Sequence, residues 1–484
     1  MYYINHIPTI ISKPGIYNFS HNLQFYPSSK KQSAVIIDSD NVILDLNNLV
    51  LHQANTQYQT VGIYVKTGHN KIIIRNGSVI GFSQLGISID GNNKNIKLHN
   101  LSIQKCGYGS TLAFKDNVDI IHQGGLKIGE TYYFANQGFN KPLGIIENLT
   151  MTNIVVTNNC VGSWIGNGKN YVISNCSFSE NTDDRVLGGP VLGTFFPPNI
   201  TKYVWGLNYF SDKRLGDTGV DGWIIKNCKF NKNGTTVGNN QSGVVTGCEL
   251  TSLQKNVLIE DCEFNDNYGL SNDKNGYTYV HGFDAGGGQN MKFINCQFDR
   301  NIGNGNVQGC HISGTIPNKY PSKNYSYIHA KNINLIDCNA SNNICSNSSF
   351  ITKSFGYGFD GNSILNIINC NANNNKNMND DGQLAGLYIT FDKPLKEQNI
   401  NVVIDGFNAY DNNSNCNDSS DILLNDNVHN ITIINSSLNG YSTIKNKQTT
   451  NGVCIKHSNN KTNNIYIKNN LIEGHKNPIS KHYK

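Results

Sequence analysis

The chain has few charged residues and very few arginines. Asp, Glu, Lys and Arg make up 15% of its 484 residues, and the formal net charge is +5. Arginine occurs only at positions 75, 185, 214 and 300. Lysine is scattered without forming a basic stripe, so the charge pattern does not indicate binding to nucleic acid.

Long apolar segments and targeting signals are also absent. No run of 18 or more apolar residues offers a membrane span, and the opening MYYINHIPTIISKPG lacks the parts of a signal peptide. We therefore expect no signal peptide and no membrane partner. The 13 Cys form no Cys-x-x-Cys pair and no Cys/His cluster at zinc spacing, so we predict no metal and no cofactor.

Asparagine and glycine take the place of the missing residues. The chain has 47 Gly and about 80 Asn, and it is poor in the Ala, Leu, Glu and Arg that favour helices. Because Ile, Val and aromatic residues recur throughout, disorder is not expected either. The excess of Asn and Gly therefore needs a structural reason.

A short repeat supplies that reason. Each copy has an alternating strand, then Asn or Asp, and often Cys, then a second short strand, as in NMKFINCQF at 290–298. A left-handed backbone is tolerated by Asn and Asp at a tight corner, and stacked copies can hydrogen-bond through their amides. A set of unrelated hairpins would not keep this register. The predicted corner residues are Asn47, Asn76, Asn100, Asn153, Asn175, Asn227, Asp261, Asn295, Asp337, Asn369, Asp405, Asn435 and Asn469.

A strand that opens with Gly precedes most copies, for example GFDA at 282–285 and GCHI at 309–312. Three short strands per repeat predict a coil in which successive turns stack about 4.8 Å apart. Cys296 and Phe298, two residues apart, share one face, so we expect a reduced column of Cys inside the coil. The predicted boundaries are an N-terminal cap at 1–40, a helix of about 13 coils at 41–475 with loop insertions near 104–145, 179–218 and 313–331, and a tail at 476–484.

These repeats resemble the right-handed parallel β-helix proteins of the pectin-lyase-like superfamily over essentially the whole chain. The resemblance implies an all-β fold with a single right-handed parallel β-helix. Residues 11–51 resemble the entry cap and first coil of such proteins. The usage of Asn, Lys, Ile and Tyr is typical of an AT-rich genome, and similar proteins are frequent in large DNA viruses, so a virion location is our expectation.

In enzymes of this superfamily, substrate lies along the outer face of the first sheet. In this chain, that sheet would consist of the strands that open with Gly. Counting two residues past each Gly predicts a column of Asp284, His311 and Asp360 as candidate catalytic residues, with Asp217 and Asp221 as weaker candidates. The two column carboxylates would be roughly 9–10 Å apart, near the upper limit of about 9.5 Å for inverting glycosidases. The alternative is a polar face that merely contacts water.

Aromatic residues in the same regions suit sugar rings. We predict substrate contacts from Tyr388, Trp205, Tyr209 and Tyr279, because flat rings with a polar edge stack on pyranoses. The alternative is that the loop aromatics pack the loops onto the coil. Further loop aromatics are Phe195, Phe196, Tyr203, Phe210, Tyr277, Tyr320, Tyr325 and Tyr327.

Intact catalytic motifs of the superfamily are missing. No acidic calcium-binding cluster is evident, and Asn181-Thr182-Asp183-Asp184 is only a fragment of a polygalacturonase pattern. We therefore favour a rigid rod that binds glycans or serves as a surface or virion component. A glycoside hydrolase, or less readily a polysaccharide lyase, is the alternative. We expect residues 1–35 to cap one end of the coil, and the tail from Glu473 to Lys484 is too short to cover the other. The second end is therefore predicted to be protected by a loop or to self-associate, either end to end or as a trimer.

Overall fold

The computed structural model describes most of the chain, in a series of separate ranges. The described residues are 1–29, 32–55, 58–108, 123–129, 144–182, 200–209, 219–238, 241–250, 254–273, 275–314, 330–346, 352–379, 381–391, 400–412, 418–425, 428–440, 451–457 and 464–483. All regular elements of this part are β-strands. Within it, no helix has the length and apolar character needed to cross a membrane.

The chain divides into two compact units. One comprises Met1–Thr235 and Gly247–Glu249, and the other comprises Thr236–Thr246 and Leu250–Lys484. Unit 1 contains β1 Tyr2–Ile4, β2 Thr9–Ile11, β3 Gly15–Phe19, β4 Leu23–Phe25, β5 Gln32–Ile37, β6 Val42–Gln53, β7 Thr60–Val65, β8 Asn70–Ile80, β9 Leu85–Ile89, β10 Lys94–Gln104, β11 Gly124–Ile128, β12 Ile146–Thr157, β13 Ser163–Ile165, β14 Gly168–Ser174, β15 Ser177–Ser179, β16 Ile200–Tyr209 and β17 Val220–Lys226. Two strands, β18 Gly234–Val237 and β19 Ser242–Leu250, have residues in both units.

Unit 2 contains the remaining strands. They are β20 Lys255–Glu260, β21 Tyr268–Ser271, β22 Tyr277–Gly286, β23 Gln289–Ile294, β24 Ile302–Gly303, β25 Val307–Ser313, β26 Lys331–Ile336, β27 Ile344–Cys345, β28 Lys353–Asp360, β29 Ile364–Ile368, β30 Lys376–Asn377, β31 Gln383–Thr390, β32 Asn401–Asp405, β33 Asn408–Tyr410, β34 Asp418–Asn425, β35 Ile431–Ile434, β36 Ser437–Asn439, β37 Asn451–His457, β38 Ile465–Lys468, β39 Leu471–Glu473 and β40 Asn477–Tyr483.

Each strand pairs in parallel with the equivalent strand of the next coil. In unit 2, β22, β25, β28, β31, β34, β37 and β40 follow one another in one sheet, which we call the Gly sheet. This pairing confirms the predicted fold class, an all-β parallel β-helix. Residues of the predicted cap form β1–β5, and β2 pairs with β5. Residues of the predicted tail form β40, so this segment is part of the Gly sheet.

The predicted corners adopt the left-handed backbone. Every one of them except Asp405 has a φ between 49° and 56°, and at that coil the left-handed residue is Gly406, at 66°. Asn side chains bridge neighbouring coils at these corners, as where Asn295 Nδ2 donates to Asp261 Oδ1 over 2.7 Å. The corner thus selects Asn and Asp for their tolerance of positive φ.

The Cys and Phe column lies inside the coil, as predicted. Cys296 and Phe298 are buried, and the rings of Phe264 and Phe298 stack with centroids 5.0 Å apart. The 12 cysteines among the described residues are buried thiols. They pack as small apolar groups.

A second column of Asn, which the repeat analysis missed, is fully buried. In unit 2, each Nδ2 donates to Oδ1 of the next coil over 2.9–3.0 Å. The members are Asn267, Asn301, Asn343, Asn375 and Asn412. The column ends at a buried pair, where Asn412 donates to Asp421 and His475 contacts the same carboxylate at 2.8 Å.

This buried column explains the glycines of the Gly sheet. A Cβ on Gly309 would lie 2.8 Å from Asn343 Nδ2 and 2.7 Å from the carbonyl oxygen of Gly356. The same contacts recur at Gly282 and Gly356. Glycine is therefore required because backbone and buried amide approach more closely than any side chain permits.

Replacing the corner residue Asn295 by Val should lower the free energy of unfolding by about 2–4 kcal/mol, because a β-branched residue is strained at positive φ and the hydrogen bond to Asp261 is lost. Asn295→Gly is the matched control, since it loses the hydrogen bond but accepts the backbone. Its cost should be about 1 kcal/mol. Urea unfolding followed by circular dichroism gives both values, and equal values for Val and Gly would contradict the corner assignment.

Candidate functional site

Four polar or aromatic side chains line the outer surface of β22. Burial alternates along Tyr277, Thr278, Tyr279, Val280 and His281, so the tyrosines and His281 point outward. The alternation breaks at Gly282 and Phe283, which are both buried, and Asp284 then points outward again. This break brings His281 and Asp284, three residues apart, onto the same face.

The break has a local cause in the buried amides. A Cβ on Gly282 would lie 2.6 Å from the carbonyl oxygens of Gly309 and Phe264, and 2.9 Å from Asn301 Nδ2. The strand can bend here because residue 282 has no side chain. The Asn column inside the coil thus fixes the position of His281 and Asp284 outside it.

His281, Asp284 and His311 form one cluster. Asp284 is in register with His311 on β25, and His311 Nδ1 lies 2.7 Å from Asp284 Oδ1. His281 Nδ1 lies 3.7 Å from Asp284 Oδ2, and the two imidazole centroids are 5.2 Å apart. Their side chains retain 12%, 20% and 23% exposure in chain order, so solvent reaches all three.

The two histidines set the charge of the carboxylate. Burial alone would raise the pKa of Asp284, but the charges and hydrogen bonds of His281 and His311 outweigh it and hold that pKa well below its usual range. Burial by itself would lower the pKa of His311. The hydrogen bond and charge of Asp284, together with the charge of Asp360, outweigh burial and raise this pKa above its usual value. Asp284 is therefore a carboxylate at neutral pH and accepts hydrogen bonds there. In that state it cannot act as a proton donor.

Asp360 does not stand in the predicted column. On β28 the residue in register with His311 is Gly358, while Asp360 is in register with Ser313. The prediction counted from Gly358, but the glycine that stacks on Gly309 is Gly356. Asp360 is consequently two residues, or about 6.6 Å, farther along the strand direction than expected.

The aromatic predictions divide into three outcomes. Tyr279 is half-buried on the outer face and packs edge to face with Tyr277, with centroids 4.8 Å apart. Tyr388 is in register with Gly358 but is only 8% exposed, because its ring stacks on Phe355 at 4.3 Å. Phe355 therefore covers one face of the ring, and sugar stacking by Tyr388 stays a prediction.

Trp205 lies among buried residues, and its contact with substrate stays a prediction. It is buried in unit 1, where its Nε1 donates to Glu249 Oε2 and its ring packs against Trp164 at 5.2 Å. Tyr209 ends β16, and its side chain lies outside the described residues. The following predicted positions also lie outside them, in whole or for their side chains: Asp183, Asp184, Phe195, Phe196, Tyr203, Phe210, Asp217, Tyr320, Tyr325 and Tyr327.

The structure also shows where two other residues from the sequence analysis lie. Asn181 of the polygalacturonase-like fragment is buried and donates to Asn233 over 3.0 Å, which is a structural role. Asp221 is exposed on β17 in unit 1, in register with Lys169. A catalytic role for Asp221 stays a prediction.

Sequence reasoning missed His281 and Gln308. Gln308 is in register with His281, three residues before His311 on β25, and is only 8% exposed. Both residues immediately precede the column glycines Gly282 and Gly309. Strict alternation counted forward from the glycine does not select this position. A polar residue before the column glycine would have been the signal.

Comparisons with known proteins give similarity only to solved structures. No protein-family model matches the chain, and no curated protein matches it. The A-module of the mannuronan C-5 epimerase AlgE4 from Azotobacter vinelandii aligns over 83% of this chain and 80% of its own, with 9% identity and a TM-score of 0.42.

Two other structures align at a similar level. A mutant of the periplasmic alginate epimerase AlgG covers 96% of this chain and 80% of its own, with 10% identity and a TM-score of 0.42. The Dettilon tailspike protein covers 94% of this chain and 62% of its own, with 9% identity and a TM-score of 0.36. These values assign neither a family nor an activity to the chain.

Proposed function

We propose that the outer face of the Gly sheet in unit 2 binds a polysaccharide. The observation that carries this proposal is that one strand, β22, presents an adjoining tyrosine pair and the His281–Asp284 part of the cluster on a single outer surface. The next strand in register adds His311. Aromatic and hydrogen-bonding groups are therefore supplied side by side.

The chemistry of this surface suits sugars. Tyrosine rings offer apolar faces for the C–H face of a pyranose and a hydroxyl for its edge. Asp284 accepts hydrogen bonds from sugar hydroxyls, and the imidazoles of His281 and His311 donate or accept them. A sugar chain lying across parallel strands would meet this set and then the polar side chains of neighbouring coils.

Glycan turnover is the second candidate, because a carboxylate between two imidazoles is a common setting for proton transfer. The inverting-hydrolase alternative required Asp284 and Asp360 as the two carboxylates. The register places Asp360 beside Ser313 and not beside His311, and Asp284 is ionised, which suits a general base and not the general acid. The hydrolase and lyase assignments stay predictions, and turnover assays test them. The virion assignment also stays a prediction.

The test is a binding survey with neutral and acidic polysaccharides, measured by affinity electrophoresis and by release of new reducing ends. We expect at least one polysaccharide to be retarded, and Tyr279→Ala to weaken binding by about 10-fold, the loss expected for one stacking contact. Tyr466→Ala is the matched control, because Tyr466 is 61% exposed on β38, in another sheet. Its binding should equal that of wild type.

The same survey separates binding from turnover. Reducing ends that form with wild type and disappear in Asp284→Asn would favour processing at this cluster. Retention without new ends would favour binding alone. Absence of binding to every polysaccharide, or full binding by a Tyr277→Ala/Tyr279→Ala double variant, would contradict the proposal.

A further inference from the structure

The cluster on β22 and β25 carries a donor set suited to a metal ion. His281, Asp284 and His311 each offer one ligand atom, and these atoms lie within 4.8 Å of one another. This is the one such group of three or more His, Cys, Asp or Glu side chains found in the described residues. Two imidazoles and one carboxylate favour transition metals over Ca²⁺ and Mg²⁺, which prefer oxygen ligands throughout.

The separations fit coordination after small adjustments. In a tetrahedral site with bonds of about 2.1 Å, ligand atoms are roughly 3.4 Å apart. The distance from His311 Nδ1 to Asp284 Oδ1 is 2.7 Å, and that from His281 Nδ1 to Asp284 Oδ2 is 3.7 Å. An ion between them would replace the hydrogen bond between His311 and Asp284. The two observed distances run to different oxygens of Asp284, and one is shorter and the other longer than the separation of roughly 3.4 Å between ligand atoms.

We propose that His281, Asp284 and His311 bind a divalent transition-metal ion of the Zn²⁺ class. The sequence predicted no metal because the ligands come from two strands and Asp284 and His311 are 27 residues apart. Stacking of coils, not a local motif, brings them together. The partial exposure of all three side chains leaves a coordination position open to solvent or to a ligand.

The experiment is titration of the metal-free full-length protein with Zn²⁺ by calorimetry, and with Co²⁺ by absorption spectroscopy. We expect one Zn²⁺ per chain and a Co²⁺ spectrum of nitrogen and oxygen ligation. His311→Ala and Asp284→Asn should each weaken Zn²⁺ binding by about 100-fold or more. Zn²⁺ should raise the melting temperature of wild type and leave that of His311→Ala unchanged.

The control is His69→Ala, since His69 also contacts two carboxylates, at 3.0 and 3.3 Å, but lies in unit 1. Its Zn²⁺ affinity should equal that of wild type, and circular dichroism verifies that each variant is folded. No Zn²⁺ binding by wild type, unchanged binding by folded His311→Ala and Asp284→Asn, a thiolate-to-cobalt charge-transfer band, or tighter binding of Ca²⁺ than of Zn²⁺ would each overturn the proposal. Zn²⁺ binding and glycan binding are measured separately, so each can fail alone.

Discussion

Replacing the buried Asn343 by Leu should lower the free energy of unfolding by about 3–5 kcal/mol. Asn343 Oδ1 accepts from the backbone N and the Nδ2 of Asn301, over 3.1 and 2.9 Å, and its own Nδ2 donates to Asn375 over 3.0 Å. A leucine of similar volume removes all three bonds and leaves buried polar atoms on two neighbouring coils without them. Each unsatisfied group costs about 1–3 kcal/mol.

The matched control for this variant is Asn334→Leu. Asn334 points outward on β26, where its Oδ1 accepts from Asn366 Nδ2 over 2.8 Å and its Nδ2 donates to O and Oδ1 of Asn332 over 3.5 and 3.3 Å. Because water can replace these partners at the surface, their loss should cost about 1 kcal/mol or less. Urea unfolding of the two variants, followed by circular dichroism, compares the columns directly. Equal losses would show that the buried column contributes no more than the outer one.

Gly309→Ala should lower the free energy of unfolding by about 3 kcal/mol, at the upper end of the usual cost of overpacking. The added Cβ would meet the carbonyl oxygens of Phe298 and Gly356 at 2.6 and 2.7 Å and Asn343 Nδ2 at 2.8 Å. Two of these groups are backbone, so they cannot move aside independently. The coil must open locally or the stack must shift.

Gly238→Ala serves as the comparison for Gly309→Ala. Its added Cβ would meet only the side chain of Gln241, whose nearest atom is 3.2 Å away and can rotate. We expect a change within about 0.5 kcal/mol, as at other tolerant surface positions. A thermal or urea unfolding series that ranks Gly238→Ala as more harmful than Gly309→Ala would refute the packing explanation of the column glycines.

The repeat predicted the fold because its corners obey a local rule. Positive φ selects Asn, Asp or Gly at a fixed place, and this preference is visible without any knowledge of neighbouring coils. Cys296 and Phe298 were predicted to point inward for a similar reason, since alternation along a strand is also local. Such features can be read from one copy and tested against the others.

The buried Asn column was less visible, although a signal exists. Asn181, Asn301 and Asn343 each lie six residues after a corner residue. In a chain with about 80 Asn, a second column is hidden among polar loops. Only the stacked structure shows that this Asn side chain points inward. Its amide group hydrogen-bonds to the neighbouring coils there, and its close approach to the backbone of the Gly sheet leaves room only for glycine.

The site depended on register, which local rules do not determine. Gly356 and Gly358 are two residues apart, and either could continue the column; the choice moved Asp360 away from His311. His281 was missed because Gly282 and Phe283 are both buried, which breaks the alternation that the prediction assumed. An aromatic residue in a long insertion can also pack inward, as Trp205 does against Trp164, and local rules do not show this.

The most direct test of the proposed function is oxidative footprinting of side chains with and without a bound polysaccharide. If the outer face of the Gly sheet is the binding surface, Tyr277, Tyr279, His281 and His311 should be protected from oxidation on binding. The exposed Tyr410 and Tyr466, on strands of other sheets, should react at unchanged rates. Protection of Tyr410 or Tyr466 with no change along β22 would contradict the account.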